Sequence, residues 1–245
     1  MKATLRLLLL VFLAALSLQL YFVGRIALMA WVDPESTAFE RSAAFNVVAN
    51  TGLLTWRQEW VPYSDISEHL KRAVIASEDA SFTEHDGVDI EALEKAWDKN
   101  TKAEQKRLPL ATKGSSSKPT KPPKIVGGST ITQQLAKNLF LSGERTLLRK
   151  GQELVLALLL EKLLDKERIL EIYLNSVEWG EGVFGAEAAA QHYYRKSAAK
   201  LSPFEAARLA VMLPRPKYFE TRPNSGYLAS RASTIIARMA AVELP

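Results

Sequence analysis

The stretch GGSTITQQLAKNLFL, residues Gly127–Leu141, is the most informative part of this 245-residue sequence. Paired glycines lead into two hydroxyl residues, and Ser129 can cap a helix that runs to about Leu141. Backbone N–H groups at such a helix start can receive an anion. An ordinary amphipathic helix would show the same periodicity, so both interpretations stay open on this stretch alone. The polar face carries Thr130, Gln133, Gln134 and Lys137, and the apolar face carries Ile131, Leu135 and Leu139.

A second candidate region is SEDASFTEHDG, Ser77–Gly87. Glu78, Phe82 and His85 stand at i, i+4 and i+7, which places them on one face if the segment is helical. A carboxylate beside an aromatic ring can have a raised pKa and can accept or donate a proton. The alternative is a solvated acidic residue at a helix end beside a structural histidine.

The segment RKGQE, Arg149–Glu153, falls in a long helix predicted from Glu144 to Leu164. Arg149 and Glu153 are four residues apart and share a helix face; on an open surface such a pair contributes only a few tenths of a kcal/mol, roughly. In the functional interpretation, cations here bind a phosphate group beside a second carboxylate. The apolar run Leu154–Leu164 favours partial burial and therefore the functional interpretation.

The N-terminus predicts a membrane anchor. Leu7–Gly24 contains no charged residue, and as a helix it would be about 27 Å long, close to the ~30 Å thickness of the hydrocarbon layer. Ile26–Val32 can extend it, with Arg25 at the interface. Basic residues precede the run and acidic residues follow it, so the positive-inside rule places the N-terminus in the cytoplasm and the main domain outside. A cleaved signal peptide is the alternative, but its apolar stretch is normally shorter.

Composition and charge exclude several classes of protein. The absence of cysteine rules out a disulfide scaffold, a thiolate zinc site and a cysteine nucleophile. The net charge is +5, yet the segment from Lys99 to Lys124 alone has eight basic residues and one acidic residue. Positive charge is therefore concentrated in a Lys/Pro-rich segment, residues 98–126, which is predicted to be a mobile loop. A nucleic-acid partner is not expected, because it requires a basic face on a folded scaffold.

The rest of the pattern is mostly helical, with thin support for strands. Thr55–Tyr63 is interpreted as a short strand or an extended arm, and the Gly-rich Glu178–Gly185 as a turn. The sequence therefore predicts a mainly α chain with an anchor at residues 1–32 and one domain at residues 33–245. Further helices are predicted at Ser67–Ser77, Asp89–Trp97, Glu167–Asn175, Gly185–Tyr194 and Pro203–Leu213.

Together the motifs resemble one enzyme family. Four motifs resemble those of the peptidoglycan glycosyltransferases in both sequence and order: EDASFTEHDG, GGSTITQQLAKNLFL, RKGQELVLALLLE and ILEIYLN (Ile169–Asn175). Enzymes of this family also form the first domain of bifunctional penicillin-binding proteins. The resemblance runs from about Val61 to Pro216, and a late string at Leu201–Phe219 continues it. The short chain with a single anchor is similar to the monofunctional members. One departure is the span between Gly87 and Gly128, which is longer than expected for the family.

The resemblance implies a role for each matched residue. Glu78 matches the catalytic base, and Glu153 matches a second essential glutamate that acts near the diphosphate or a divalent metal such as Mg²⁺ or Mn²⁺; no organic cofactor is implied. The family's basic positions, which bind the substrate diphosphate, are Lys137, Arg149 and Lys150. The positions that shape the cleft and bind substrate are Asp79, Phe82, His85, Ser129, Thr130, Gln133, Gln134 and Asn138.

The resemblance also implies a fold, a reaction and a location. The expected fold is lysozyme-like, with two lobes, a cleft between them and one N-terminal transmembrane helix. Family enzymes polymerise lipid II: the 4-hydroxyl of the acceptor GlcNAc attacks C1 of the donor MurNAc with inversion, and undecaprenyl diphosphate leaves. The expected location is the inner membrane, single-pass, with the catalytic domain on the periplasmic side.

The expected partners are lipid II, the growing lipid-linked glycan chain and membrane lipids. Penicillin-binding transpeptidases or division proteins are expected by analogy alone. Two alternatives are a lytic transglycosylase or muramidase, which cleaves glycan with a glutamate in a similar fold, and a non-catalytic scaffold for cell-wall synthesis. Neither alternative needs cations arranged around a diphosphate.

Overall fold

A computed structural model describes residues 2–105, 128–141 and 146–245 of the chain. The described part is mainly helical, as predicted. Two 3-10 turns lie at Tyr63–Asp65 and Ala198–Lys200. The helices are α1 (Lys2–Leu28), α2 (Ala38–Thr51), α3 (Glu68–Glu78), α4 (Ile90–Gln105), α5 (Ile131–Phe140), α6 (Leu147–Leu163), α7 (Lys166–Ser176), α8 (Ala186–Tyr194), α9 (Pro203–Met212), α10 (Pro216–Glu220) and α11 (Gly226–Met239).

Several helices begin where a local capping motif requires it. At the start of α5, the Thr130 hydroxyl accepts the Gln133 N–H, and the Gln133 side chain accepts the Thr130 N–H. Thr37 and Glu40 form the same reciprocal pair at the start of α2. The cap of α5 is thus Thr130 and not Ser129, one residue later than predicted.

The core is built from two helical groups that share one continuous set of buried side chains. Helices α3, α9 and α11 pack against each other, and α5 packs against α6 and α7. Leu70 of α3, Leu209 of α9 and Leu135 of α5 are fully buried in this core. Removing such side chains from water is the main favourable contribution to folding, and here it fixes the end of α3 relative to the start of α5.

A small sheet replaces the turn predicted at Glu178–Gly185. Strands β2 (Glu178–Gly180) and β3 (Val183–Phe184) form an antiparallel hairpin, and β1 (Arg57–Gln58) pairs with β3 in parallel. Gly182 has φ +70°, and a Cβ there would lie 2.1 Å from the Thr55 carbonyl oxygen. A glycine is therefore required where the hairpin meets the β1 arm. The hairpin was missed because strands of two or three residues leave almost no periodicity.

Helix α1 is the predicted anchor. Within the described residues it is the one helix long and apolar enough to cross a membrane, over Ala3–Leu28. Most of it is exposed, but Phe22, Ile26 and Met29 are buried in the core, and the ring of Phe22 meets that of Phe140 edge-on at 5.3 Å between centroids. The last turns of the anchor are therefore part of the folded domain.

The structure contains one helix that was not predicted and extends another into the predicted loop. Helix α2, with its capping box, lies in a stretch that sequence patterning left without a helix. Helix α4 extends to Gln105, so residues 98–105 of the predicted loop are helical. The rest of that loop and Gly127 lie outside the described residues.

Candidate active site

A cavity of about 680 Å³ opens where α3 ends and where α4 and α5 begin. Five of the predicted site residues line it: Glu78, Asp79, His85, Ser129 and Thr130. They come from two segments separated by about forty residues or more in the sequence. The fold therefore brings the first two sequence motifs together around one opening.

Glu78 is the last residue of α3 and is half-buried. One carboxylate oxygen accepts a hydrogen bond from Nε2 of Gln134 at 3.1 Å, and the other accepts one from Oγ of Ser77 at 3.4 Å. Burial raises the pKa of Glu78 above its usual range, and the neighbouring Asp79 charge adds to this; Gln134, Ser77 and Lys137 offset only part of it. Glu78 can therefore accept a proton at a pH closer to neutrality than an exposed glutamate.

The amide of Gln134 is oriented from its other side. The hydroxyl of Tyr173, a fully buried residue of α7, donates to Oε1 of Gln134 at 3.0 Å. This contact leaves Nε2 as the group that faces Glu78. Tyr173 was not predicted as a site residue. It lies in the ILEIYLN motif, where a buried aromatic residue among apolar neighbours is indistinguishable from an ordinary core residue.

Asp79 and His85 hold the loop after α3 against the start of α5. The carboxylate of Asp79 accepts from Nε2 of His85 and from the Ile131 N–H, both at 2.9 Å. Nδ1 of His85 accepts the Gly87 N–H at 3.1 Å, so in the neutral ring the proton is on Nε2. Burial lowers the pKa of His85, but its bond to the Asp79 carboxylate reverses this and leaves the pKa raised. Both residues therefore fix the loop that directly follows Glu78.

The backbone N–H groups at the start of α5 form hydrogen bonds within the protein. The N–H groups of Thr130, Ile131 and Gln133 are all accepted by side chains of this chain, and the Thr130 hydroxyl donates to the Gly87 carbonyl at 2.7 Å. An anion therefore has no access to these three N–H groups, contrary to the interpretation drawn from the paired glycines. The helix start is a structural junction between the two motifs.

Three predicted cleft residues are buried and do not line the cavity. Phe82 is fully buried, and Gln133 and Asn138 are 4% and 7% exposed. Phe82 was expected beside Glu78 on a continuing helix, but α3 ends at Glu78 and Asp79 leaves the helical conformation. Its ring instead packs in the core, 4.5 Å from the ammonium of Lys166. These residues support the cleft and do not line it.

In the third motif, a buried carboxylate contacts two cationic side chains. Glu153 of α6 is 3% exposed; one of its oxygens lies 3.3 Å from Nη1 of Arg149 and the other contacts Nζ of Lys150. Lys150 also donates to Oγ of Ser129 at 3.3 Å. The Arg149–Glu153 pair predicted from spacing is confirmed, and its burial makes it more than a surface ion pair. Lys150 connects this cluster to the cavity wall.

Helix α5 joins the two carboxylates into one site. Ser129, just before it, contacts Lys150, and Gln134 on it contacts Glu78. Lys137 lies three residues after Gln134 on the same side and acts electrostatically on Glu78. Ser129 and the polar face of α5 together therefore connect Glu78 with the cation cluster.

A divalent cation does not fit the side chains around Glu153. Both of its oxygens already contact cationic groups, and across the described ranges no group of three or more His, Asp or Glu side chains is arranged to hold a metal ion. A divalent cation at Glu153 would lie directly beside the positive charges of Arg149 and Lys150, which disfavours its binding. Positive charge at this site is supplied by the side chains themselves.

Comparison with known proteins identifies the family. Residues 46–240 match the family model described as Transglycosylase. The chain is 53% identical over 232 residues to a biosynthetic peptidoglycan transglycosylase of Burkholderia thailandensis, covering 95% of this chain and 84% of the relative. Proteins with the same name from Burkholderia multivorans and Bordetella pertussis are each 51% identical, covering 96% and 94% of this chain and 89% and 90% of the relatives.

The family-model match covers all three sequence motifs. The relatives are named as biosynthetic enzymes, which favours polymerisation over glycan cleavage or a scaffold role. The mainly helical structure is the lysozyme-like fold of that family. The chain therefore belongs to the transglycosylase family and is a glycosyltransferase that polymerises the glycan chains of peptidoglycan.

Proposed function

We propose that the chain polymerises lipid II, with Glu78 as the general base. The Glu78 carboxylate removes the proton from the 4-hydroxyl of the acceptor GlcNAc, whose oxygen attacks C1 of the donor MurNAc. A new C1–O bond forms with inversion while the bond from C1 to the diphosphate oxygen breaks. Undecaprenyl diphosphate leaves with the bonding electrons. A positioned base of this kind contributes roughly 10²–10⁴-fold to the rate.

The contrast between the two carboxylates carries this proposal. Glu78 is contacted by an amide and a hydroxyl and has a raised pKa, whereas Glu153 is contacted by two cations. A carboxylate with a raised pKa is suited to take a proton near neutral pH. A carboxylate between two cations is suited to hold those cations in place.

The leaving group accounts for the cations. A departing diphosphate gains negative charge, and preorganised cations aimed at it lower the barrier. We assign this role to Lys137, Arg149 and Lys150, with Glu153 fixing the last two. Lys150 is half exposed and touches Ser129 on the cavity wall, which supports direct contact with a diphosphate bound there.

The N-terminal helix supports a location of this protein at the membrane in which its lipid-linked substrate lies. We propose a single-pass protein of the inner membrane with its N-terminus in the cytoplasm and its catalytic domain in the periplasm. The burial of Phe22 and Ile26 in the domain supports a cleft held close to the bilayer surface. Confinement to that surface raises the effective concentration of a lipid-linked substrate.

The test is polymerisation of purified lipid II by the full-length chain. Wild type is expected to form glycan polymer, and Glu78→Gln to lose roughly 10²–10⁴-fold in rate. Glu153→Gln is expected to lose activity through misplaced cations. Glu68→Gln is the matched control, because Glu68 lies on the same helix but is largely exposed at its other end. Full activity in Glu78→Gln would refute the assignment of the base.

Two further arms of the assay address the alternatives. Degradation of purified sacculi without polymerisation would favour a lytic enzyme, and the absence of both activities in wild type would favour a scaffold. Addition of EDTA tests the metal: activity that persists in EDTA fits cations supplied by side chains. Activity that vanishes in EDTA and returns with Mg²⁺ or Mn²⁺ would contradict that assignment.

A further inference from the structure

A second cavity lies where the anchor leaves the membrane. It has a volume of about 290 Å³ and is formed by the end of α1 together with the segment that leads into α2. Its wall contains the apolar side chains of Leu28 and Val32, which are about half exposed, and two guanidinium groups, those of Arg25 and Arg41. None of these residues belongs to the cleft around Glu78.

Both guanidinium groups retain free capacity for a ligand. Arg25 donates to the Tyr21 hydroxyl at 3.2 Å, and Arg41 donates to the carbonyl and hydroxyl oxygens of Ser36, each at 3.0 Å. Within residues 2–105, 128–141 and 146–245 neither group forms an ion pair. Each guanidinium has five N–H donors in a fork that suits phosphate oxygens, so most of these donors remain available.

The charge of the cavity matches a single negative group. Asp33 also lines it, but its carboxylate is paired with Arg168 at 2.7 Å. Arg25, Arg41 and the exposed Glu35 then leave a net charge of +1. A phosphodiester carries one negative charge, whereas a free phosphate near neutral pH carries more.

The position of the cavity points to a membrane lipid as the source of that phosphodiester. Arg25 is the first charged residue after the apolar run Leu7–Gly24, and α1 ends at Leu28, so the cavity lies at the end of the anchor, where the headgroup region is expected. Trp31, 83% exposed beside it, is an aromatic residue of the kind enriched at that level. Leu28 and Val32 would face the glycerol end of the lipid while the guanidinium groups face its phosphate.

We propose that this cavity binds the headgroup of an anionic membrane phospholipid, whose net charge is negative, with Arg25 and Arg41 contacting the phosphate oxygens. The bound headgroup fixes the junction between α1 and α2 at the bilayer surface. Basic pockets at the ends of transmembrane helices bind anionic headgroups by this chemistry. The proposal concerns a site outside the cleft and does not depend on how glycan is polymerised.

The test uses the full chain in an uncharged detergent. Phosphatidylglycerol, phosphatidylcholine or inorganic phosphate is added, and lipid adducts are counted by native mass spectrometry alongside the unfolding midpoint. Wild type is expected to form a discrete one-to-one adduct with phosphatidylglycerol and to gain stability from it. Arg25→Gln and Arg41→Gln are each expected to weaken this adduct about tenfold, the effect of losing one charge-assisted contact.

Two variants separate a built site from general charge attraction. Arg6→Gln removes a cation from the opposite end of the same helix and should leave the adduct unchanged. Glu35→Gln removes the one unpaired acid of the cavity and should strengthen the adduct, and Arg25→Lys should retain part of it and covers the case in which Arg25→Gln misfolds. Equal loss in Arg6→Gln, equal binding of phosphatidylcholine and phosphatidylglycerol, or full replacement of the lipid by inorganic phosphate would each overturn the proposal.

Discussion

The side-chain amides of Gln19 and Gln152 exchange two hydrogen bonds, at 3.1 and 3.3 Å, where the anchor helix crosses α6. Gln19 lies in the apolar span, and Gln152 is adjacent to the buried Glu153. Each amide donates one hydrogen bond to the other and accepts one from it in a part-buried contact. The anchor is thereby fixed in rotation and height against the helix that carries the cation cluster.

This pairing predicts coupled effects on stability. Gln19→Leu and Gln152→Leu should each destabilise the protein by about 1 kcal/mol, because the remaining amide is left unpaired in an apolar contact. The double variant should recover part of that loss, since two leucines can pack together. Thermal unfolding of the four proteins in detergent gives the coupling energy. Additive losses would show that the amides do not interact energetically.

The pH profile of polymerisation should respond to Gln134. A general base must be ionised, and the pKa of Glu78 is raised by burial, so activity should be lost as the pH falls through that raised pKa. The Gln134 hydrogen bond stabilises the ionised form and lowers the pKa. Gln134→Leu should therefore move the acid limb of kcat/KM to higher pH, and Tyr173→Phe should move it less. The profile is measured with lipid II in buffers from about pH 5 to 9, a range that brackets a raised carboxyl pKa.

Gln191→Leu is the control for that experiment. Gln191 donates to Glu187 at 2.9 Å, as Gln134 does to Glu78, but it lies on α8 and its partner is not the proposed base. Its removal should leave the limb where it is in wild type. An unmoved limb in Gln134→Leu would mean that another group controls the acid side of the profile.

Lys150 should matter chiefly for the rate, because Arg149 still pairs with the buried Glu153 when Lys150 is replaced. Lys150→Ala is expected to lower kcat roughly 10²–10³-fold, the typical effect of removing one group that stabilises transition-state charge, while Lys150→Arg should retain much of it. Lys162→Ala, on the exposed side of the same helix, should be close to wild type. Initial rates at saturating lipid II report this. Similar losses in both alanine variants would contradict a specific role in the diphosphate site.

The Asp79–His85 pair should make stability depend on pH. The pKa of His85 is raised in the folded state above its ordinary 6.5, so the stabilisation is fully present below about pH 6.5 and is lost as the pH rises through the folded-state value. Asp79→Asn should cost about 1–3 kcal/mol at pH 5.5 and less at pH 8.5. Urea unfolding at both pH values measures this.

Asp86→Asn, an exposed substitution in the same loop, is the control for that measurement and should cost little at either pH. A difference between wild type and Asp79→Asn that stays constant from pH 5.5 to 8.5 would show that the ionised pair contributes no stability. The loop would then be held by the Asp79 bond to the Ile131 N–H alone.

Features that depend on neighbouring residues were predictable from the sequence. Helix α5 and its polar face follow from a local capping motif and a 3.6-residue period, and the Arg149–Glu153 pair follows from four-residue spacing on one helix. The anchor follows from an uninterrupted apolar run. The assignment of Glu78 as the base came from the resemblance, because one carboxylate at the end of a helix has no distinguishing local pattern.

What the sequence alone determined is therefore the set of helices and the residue types on each face, because both depend on contacts within a few residues. Only the tertiary structure decided which of those faces meet. The Asp79 carboxylate reaches the Ile131 N–H across 52 residues, and Gln19 reaches Gln152 across 133. The same packing buries Phe82, encloses Glu78 enough to raise its pKa, and brings Lys150 to Ser129. Burial and long-range pairing arise when separate helices exclude water between them, and no local spacing in the chain specifies that.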